Sequence, residues 1–228
     1  MPIPQKYQAV FTENKIYHVY NRTSNNEKLF LNDENHAFFL KQYGKYISPV
    51  ADTFCWNLLP NHFHFLLRIK TTEEIKTMLN QKVSNLSKVG NLATLNKTET
   101  RFLNNEITLD ELVEFYFKSL FQSYALAFNK VYDRKGNLFY KPFKRVEVKQ
   151  ESHYTQTIIY IHANAQRHKL CRSFMEWRWS SWHSILSEAS TQLKRNEVLD
   201  WFGGKDRMIQ THNEMVAYYY SCEHEIEE

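Results

Sequence analysis

Glycine and proline are scarce, with five of each among 228 residues. A chain so poor in turn formers is not a loop-rich architecture. Cysteine is scarcer still. Cys55, Cys171 and Cys222 are odd in number and widely spaced, with no Cys-x-x-Cys pair. That excludes a disulfide framework and a zinc ribbon, and a reducing, cytoplasmic setting is expected. No run approaches the ~18 apolar residues of a membrane span, so no membrane association is expected. No long apolar core follows Met1–Lys6, so no signal peptide is expected. Internal repeats and low-complexity segments are missing. So are a glycine-rich phosphate loop and a His-Glu-x-x-His word, which argues against nucleotide hydrolysis and zinc-dependent hydrolysis.

What the chain does have is apolar and aromatic bulk. Hydrophobic residues make up 43% and aromatics 15%, enough to build a sizeable core rather than a disordered chain. The formal charge of +4 permits a nucleic-acid partner without establishing one.

Periodicity gives an element order. Lys15–Asn21 reads as a first strand, and Asp33 as the N-cap of a helix that ends near Ser48-Pro49. Thr53–Leu59 and Phe63–Ile69 read as a hairpin turned at Pro60-Asn61. Residues 71–129 read mainly as helix, opened by Thr71–Glu74 and interrupted by a polar loop or inserted piece from Gly90 to Ile107. Thr108–Glu111 is a capping-box pattern before a long amphipathic run. Lys144–Lys149 reads as a fourth strand and Glu151–His168 as a helix. A further helix falls near Asp206–Tyr220, and Glu223–Glu228 reads as a frayed tail. The order β-α-β-β-α-β-α predicts an α+β fold. It is a ferredoxin-like or RRM-like antiparallel sheet with helices on one face, a helical insertion at about 71–112 and a helical C-terminal extension. A main domain is expected over 1–185 and the extension over 186–228.

The most informative word is His62-Phe63-His64. On a strand, residues i and i+2 share a face, so both imidazoles point one way and Phe63 and Phe65 the other. Two convergent histidines can bind a divalent metal. Such a pair is also what an ordinary half-exposed polar face looks like. Tyr160 and Asn164 stand four apart on a helix and share a face. Each alone is unremarkable, because a tyrosine on an apolar helix is usually a core aromatic. If that helix packs near the third strand, His62, His64 and Asn164 can hold Mg²⁺ or Mn²⁺, with Tyr160 beside them as a nucleophile. Attack on a phosphodiester would then leave a covalent phosphotyrosine link and a free 3′-hydroxyl.

Leu59–Leu67 resembles the histidine motif of the single-tyrosine HUH transposases, and more narrowly that of the REP-associated tyrosine transposases. Tyr160-Ile161-His162-Ala163-Asn164-Ala165 is similar to that family's Tyr-Ile-His-x-Asn-Pro word. Gly136–Lys144 resembles its Gly-x-Leu-Phe/Trp-Gln-x-Arg-Phe-Lys word, and Arg178–Trp182 a Trp-Ser-Ser-Tyr word. The four words stand in the family's order over about residues 15–185. The resemblance implies a metal-dependent single-stranded DNA endonuclease and strand transferase. It assigns ligation to His62, His64 and Asn164 and nucleophilic attack to Tyr160. It also implies recognition of hairpin-forming DNA with a short flanking guide. Ala165 departs from the family's proline, Pro142 from its frequent arginine, and the region 71–112 is longer than usual. None of these removes a proposed catalytic residue.

Cations cluster between Lys130 and Lys149: seven Lys/Arg against Asp133 and Glu147, a local net of +5. Aromatic residues are interleaved, as single-strand binding requires. Lys130, Arg134, Lys135, Lys141, Lys144 and Arg145 are the DNA-binding candidates there. Arg167 and Arg172 follow in a second cluster, and Arg22 lies on the first strand. The alternative reading is a non-cleaving, RRM-like nucleic-acid-binding protein. Monomer and homodimer are both left open.

Overall fold

The computed structural model describes residues 7–24, 27–87 and 95–221. Four strands, β1 (Ile16–Arg22), β2 (Ala51–Leu59), β3 (His62–Ile69) and β4 (Lys144–Glu147), form one sheet in the order β2-β3-β1-β4. Every neighbouring pair is antiparallel, which is the ferredoxin-like arrangement expected.

Helix α1 (Asp33–Tyr46) follows β1. Helices α2 (Thr72–Ser87), α3 (Lys97–Leu103) and α4 (Leu109–Val131) lie between β3 and β4. Helix α5 (Ser152–Arg167) follows β4, and after it come α6 (Trp182–Leu186), α7 (Arg195–Phe202) and α8 (Lys205–Ser221). The N-cap of α1 is Asn32 rather than Asp33. Its side chain accepts from the Asn35 amide at 3.0 Å, and Asp33 instead sits in the first turn, where the helix dipole favours an acid. The Thr108–Glu111 capping box forms as expected. The polar stretch expected as a loop or an inserted piece contains α3, which an Asn96–Glu99 capping box nucleates. Residues 88–94 and the acidic end, Glu223–Glu228, lie outside the described residues.

The pleat of β3 divides the molecule into two cores. Phe63, Phe65, Leu67 and Ile69 join the cluster formed with α1 and α4. Tyr43 stacks on Phe65 with ring centroids 4.0 Å apart, and Phe39 meets Phe63 at 5.1 Å. Leu66, on the other face, joins Cys55, Ile16 and the α5 residues Ile158, Ile159 and Ile161. Thus α1 and α4 cover one face, while α5, backed by α7 and α8, covers the face that carries His62 and His64, so helices pack on both faces rather than on the one expected. Both sheet edges are met by short bridges, Gln8 to Arg145 beside β4, and Thr53 to Leu193 and Asn57 to Ser180 beside β2. Such contacts blunt edges that would otherwise template aggregation. No described helix is long and apolar enough to cross a membrane.

Candidate active site

The register of the sheet lays a polar row across its α5 face. Asn57 on β2 stands opposite His64 on β3, His64 opposite Tyr20 on β1, and Tyr20 opposite Lys144 on β4. Above this row lies α5. Tyr160, Asn164 and His168 follow one another at four-residue steps, a single stripe of the helix that continues into its C-cap residue His168. The ring of Tyr160 meets that of His64 edge-on with centroids 5.9 Å apart. One step along β3, His62 meets His168 at 5.0 Å. Asn164 lies between Tyr160 and His168 on the helix, and therefore between the two histidines of the strand. The sheet and helix thus bring together all four residues singled out in the sequence.

Their hydrogen bonding is incomplete in a patterned way. His62 Nδ1 bonds Asn61 Oδ1 at 2.7 Å, and His64 Nδ1 bonds His18 Nε2 at 2.9 Å. Asn164 Nδ2 donates to the Tyr160 carbonyl at 3.2 Å. The remaining polar atoms, His62 Nε2, His64 Nε2 and Asn164 Oδ1, are buried without a hydrogen-bond partner. Buried polar atoms are nearly always satisfied. Three unsatisfied lone-pair atoms on adjoining side chains form a donor set that suits a metal ion. Burial holds His62 neutral, its pKa pushed down to about 3, with the nearby His168 and Arg22 opposing protonation further. His64 is likewise driven well below the usual imidazole range, first by desolvation and then by His18 and His62. Neutral imidazole is the form that coordinates metal. Among the described residues no group of three or more His, Cys, Asp or Glu is placed to hold a metal. The third of the unpartnered atoms, Asn164 Oδ1, belongs to a carboxamide.

Residues not singled out in the sequence hold α5 in position. Asn57 Nδ2 donates to the Ile161 carbonyl at 2.6 Å, tying the middle of α5 to β2. His162 is fully buried and sits in a chain of hydrogen bonds with one consistent direction. The Trp56 amide donates to Ser181 Oγ (2.9 Å), and that hydroxyl donates to His162 Nε2 (2.8 Å). His162 Nδ1 donates to His212 Nε2 (3.0 Å), and His212 Nδ1 donates to the Met208 carbonyl (2.8 Å). Both imidazoles are satisfied only if both are neutral. The fourth word of the sequence thus has a structural task. Ser181 joins this chain and Trp182 packs on His212 at 4.8 Å.

The DNA-binding candidates separate into two groups. Arg22, Lys130, Lys135, Lys141, Arg167 and Arg172 are exposed. Arg22 lies over the Tyr140 ring at 5.7 Å and Arg167 over Tyr160 at 5.9 Å. Lys144 reaches over Tyr20 at 5.3 Å, on the histidine face. Arg134 and Arg145 are instead absorbed into the fold. Arg134 bonds Glu27 and the carbonyls of Gly136 and Asn137. Arg145, 7% exposed, pairs with Glu114 at 2.8 Å and Asp110 at 3.4 Å and donates to the Ala9 carbonyl. These two correct the sequence expectation, because charge alone does not reveal the side of the strand or turn on which a cation falls.

No protein-family model matches the chain, and no curated protein matches it. A solved structure described as the REP-associated tyrosine transposase bound to a REP hairpin is similar at a TM-score of 0.48 and 12% identity. The match covers 82% of this chain and 87% of the other.

Proposed function

We propose that this chain is a metal-dependent single-stranded DNA endonuclease and strand transferase, of the transposase type, which acts on hairpin-associated DNA through Tyr160. The observation that carries this reading is the set of buried lone pairs on His62 Nε2, His64 Nε2 and Asn164 Oδ1 beside a tyrosine ring. A purely structural core would have no use for three such atoms together. A nucleic-acid-binding sheet that cleaves nothing has no use for them either.

In this reading His62, His64 and Asn164 hold Mg²⁺ or Mn²⁺. Bound there, the ion would withdraw charge from the scissile phosphate and orient it. Tyr160 supplies the nucleophile. Its phenolic oxygen bonds to phosphorus as the bond to the 3′-oxygen breaks. The tyrosine proton leaves to solvent, and the departing 3′-oxygen takes up a proton. The products are a 5′-phosphotyrosine and a 3′-hydroxyl, and attack by a 3′-hydroxyl on the same phosphotyrosine rejoins the strand. Exposed Arg22, Lys141 and Arg172, together with Lys144 at the edge of the site, supply cations for the phosphates. Association with DNA is expected to need no membrane and to suit a monomer or a homodimer.

The test is cleavage of labelled hairpin oligonucleotides with Mn²⁺ by wild type, Tyr160→Phe and His64→Ala. Both variants should fall to background cleavage while Tyr160→Phe keeps wild-type DNA affinity. Cleavage undiminished in Tyr160→Phe would assign the nucleophile elsewhere. Tight binding without cleavage by wild type would favour the non-cleaving binder.

A further inference from the structure

We infer that His18 is a positioning residue, which holds His64 in the tautomer and orientation that a metal ligand requires. The inference rests on the ligand role proposed above for His64. His18 lies on β1 opposite Leu66, one diagonal step from His64, which faces Tyr20. Its Nε2 bonds His64 Nδ1 at 2.9 Å. The two rings lie 5.1 Å apart and nearly parallel, and Tyr20 stacks on both, at 4.7 Å from His18 and 5.6 Å from His64. His18 also meets the Tyr160 ring edge-on at 6.0 Å. One imidazole therefore touches both the proposed ligand and the proposed nucleophile.

The hydrogen bond has two possible directions with opposite consequences. If His18 donates, His64 carries its proton on Nε2. That leaves a buried N–H with no acceptor and a nitrogen unable to bind metal. If His64 donates from Nδ1, its Nε2 keeps a free lone pair, and His18 must be the Nδ1–H tautomer. Only the second direction leaves a usable ligand, and a donated second-ring N–H of this kind fixes ring orientation and raises ligand basicity. An imidazole placed among apolar neighbours such as Leu66 and Ile16 costs desolvation energy unless such a bond offsets it.

The experiment uses the whole chain labelled with ¹⁵N-histidine, compared with His18→Ala and His18→Gln. NMR of the metal-free protein reads the His64 tautomer directly. Wild type should show His64 protonated on Nδ1. His18→Gln should keep that form, because the glutamine carboxamide oxygen can still accept, whereas His18→Ala should lose it. Co²⁺ titration, followed by its visible absorption, is the second readout. His18→Ala should weaken binding about 10–100-fold, the usual effect of removing such a partner, with His18→Gln close to wild type. A wild-type His64 protonated on Nε2, or unchanged Co²⁺ affinity in His18→Ala, would overturn the inference. The expected tautomer with no Co²⁺ binding by wild type would overturn the metal reading and leave His18 as the residue that orients His64.

Discussion

His62 and His64 show how burial leaves an ordinary side chain with a bare lone pair. Each spends Nδ1 on a protein partner and keeps Nε2 bare. Removing either imidazole, or truncating Asn164→Ala, should abolish Co²⁺ binding and metal-dependent cleavage, while the stability lost should be limited to about 1–3 kcal/mol for the one hydrogen bond each side chain makes. Equilibrium denaturation beside the Co²⁺ titration checks both halves of that statement. Arg145 should behave in the opposite manner. Arg145→Ala removes the buried cation that Asp110 and Glu114 share and should destabilise the fold by on the order of 3 kcal/mol, while leaving DNA contacts intact. The alternation of β4 explains why sequence alone misassigns it. Lys144 and Arg145 are adjacent, yet one faces Tyr20 and the histidines and the other faces Phe11 and α4. His62, His64, Tyr160 and Asn164 were legible because strand and helix periods place each pair on one face. His18 was not, because its partner lies 46 residues away and only the β1–β3 register reveals their meeting.

At the scale of elements, α5 is the part on which the site depends, and it is fixed from both sides. Asn57 holds its centre to β2, and the Ser181–His162–His212 chain holds its buried face to α8. Asn57→Ala should cost about 1–3 kcal/mol, as for other lost buried hydrogen bonds, and should impair cleavage beyond its effect on stability. Chemical denaturation paired with single-turnover rates separates the two effects. The His212 pKa is pushed down to about 4 by burial, against a smaller opposing pull from its bond to Met208. Because the unfolded chain binds this proton at an ordinary histidine value near 6.5 and the folded chain does not, stability is complete above that value. It falls as pH drops from about 6.5 to about 4, by on the order of 3 kcal/mol for this group. His212→Gln should flatten that part of the stability–pH profile. The strands and most helices were legible from period and caps. Helix α3 was missed because its Asn96–Glu99 box is the only start signal within a polar stretch, and α8's docking was invisible because His212 finds its partner across 50 residues.

At the scale of the whole molecule, the sheet separates two tasks. One face, packed by α1 and α4, is apolar core, and the other carries the polar row beneath α5. The net charge of +4 matters less than which cations remain exposed. Lys130, Lys135 and Lys141 are exposed, whereas Arg134 and Arg145 are tied into the fold. Replacing any of the three lysines that touches a phosphate should reduce the slope of log affinity against log salt by about 0.7 for single-stranded DNA, without altering the thermal midpoint. Fluorescence anisotropy across a salt series checks this.

The proposed reaction joins Tyr160 covalently to DNA at a site held by His62, His64 and Asn164. The most direct measurement incubates wild type and Tyr160→Phe with labelled single-stranded hairpin DNA and Mn²⁺, then resolves the products on denaturing gels with mass spectrometry of the linked peptide. An adduct on Tyr160 is expected, formed only with metal and absent from Tyr160→Phe. An adduct that persists in Tyr160→Phe, or none from a wild type that binds the same DNA tightly, would contradict it.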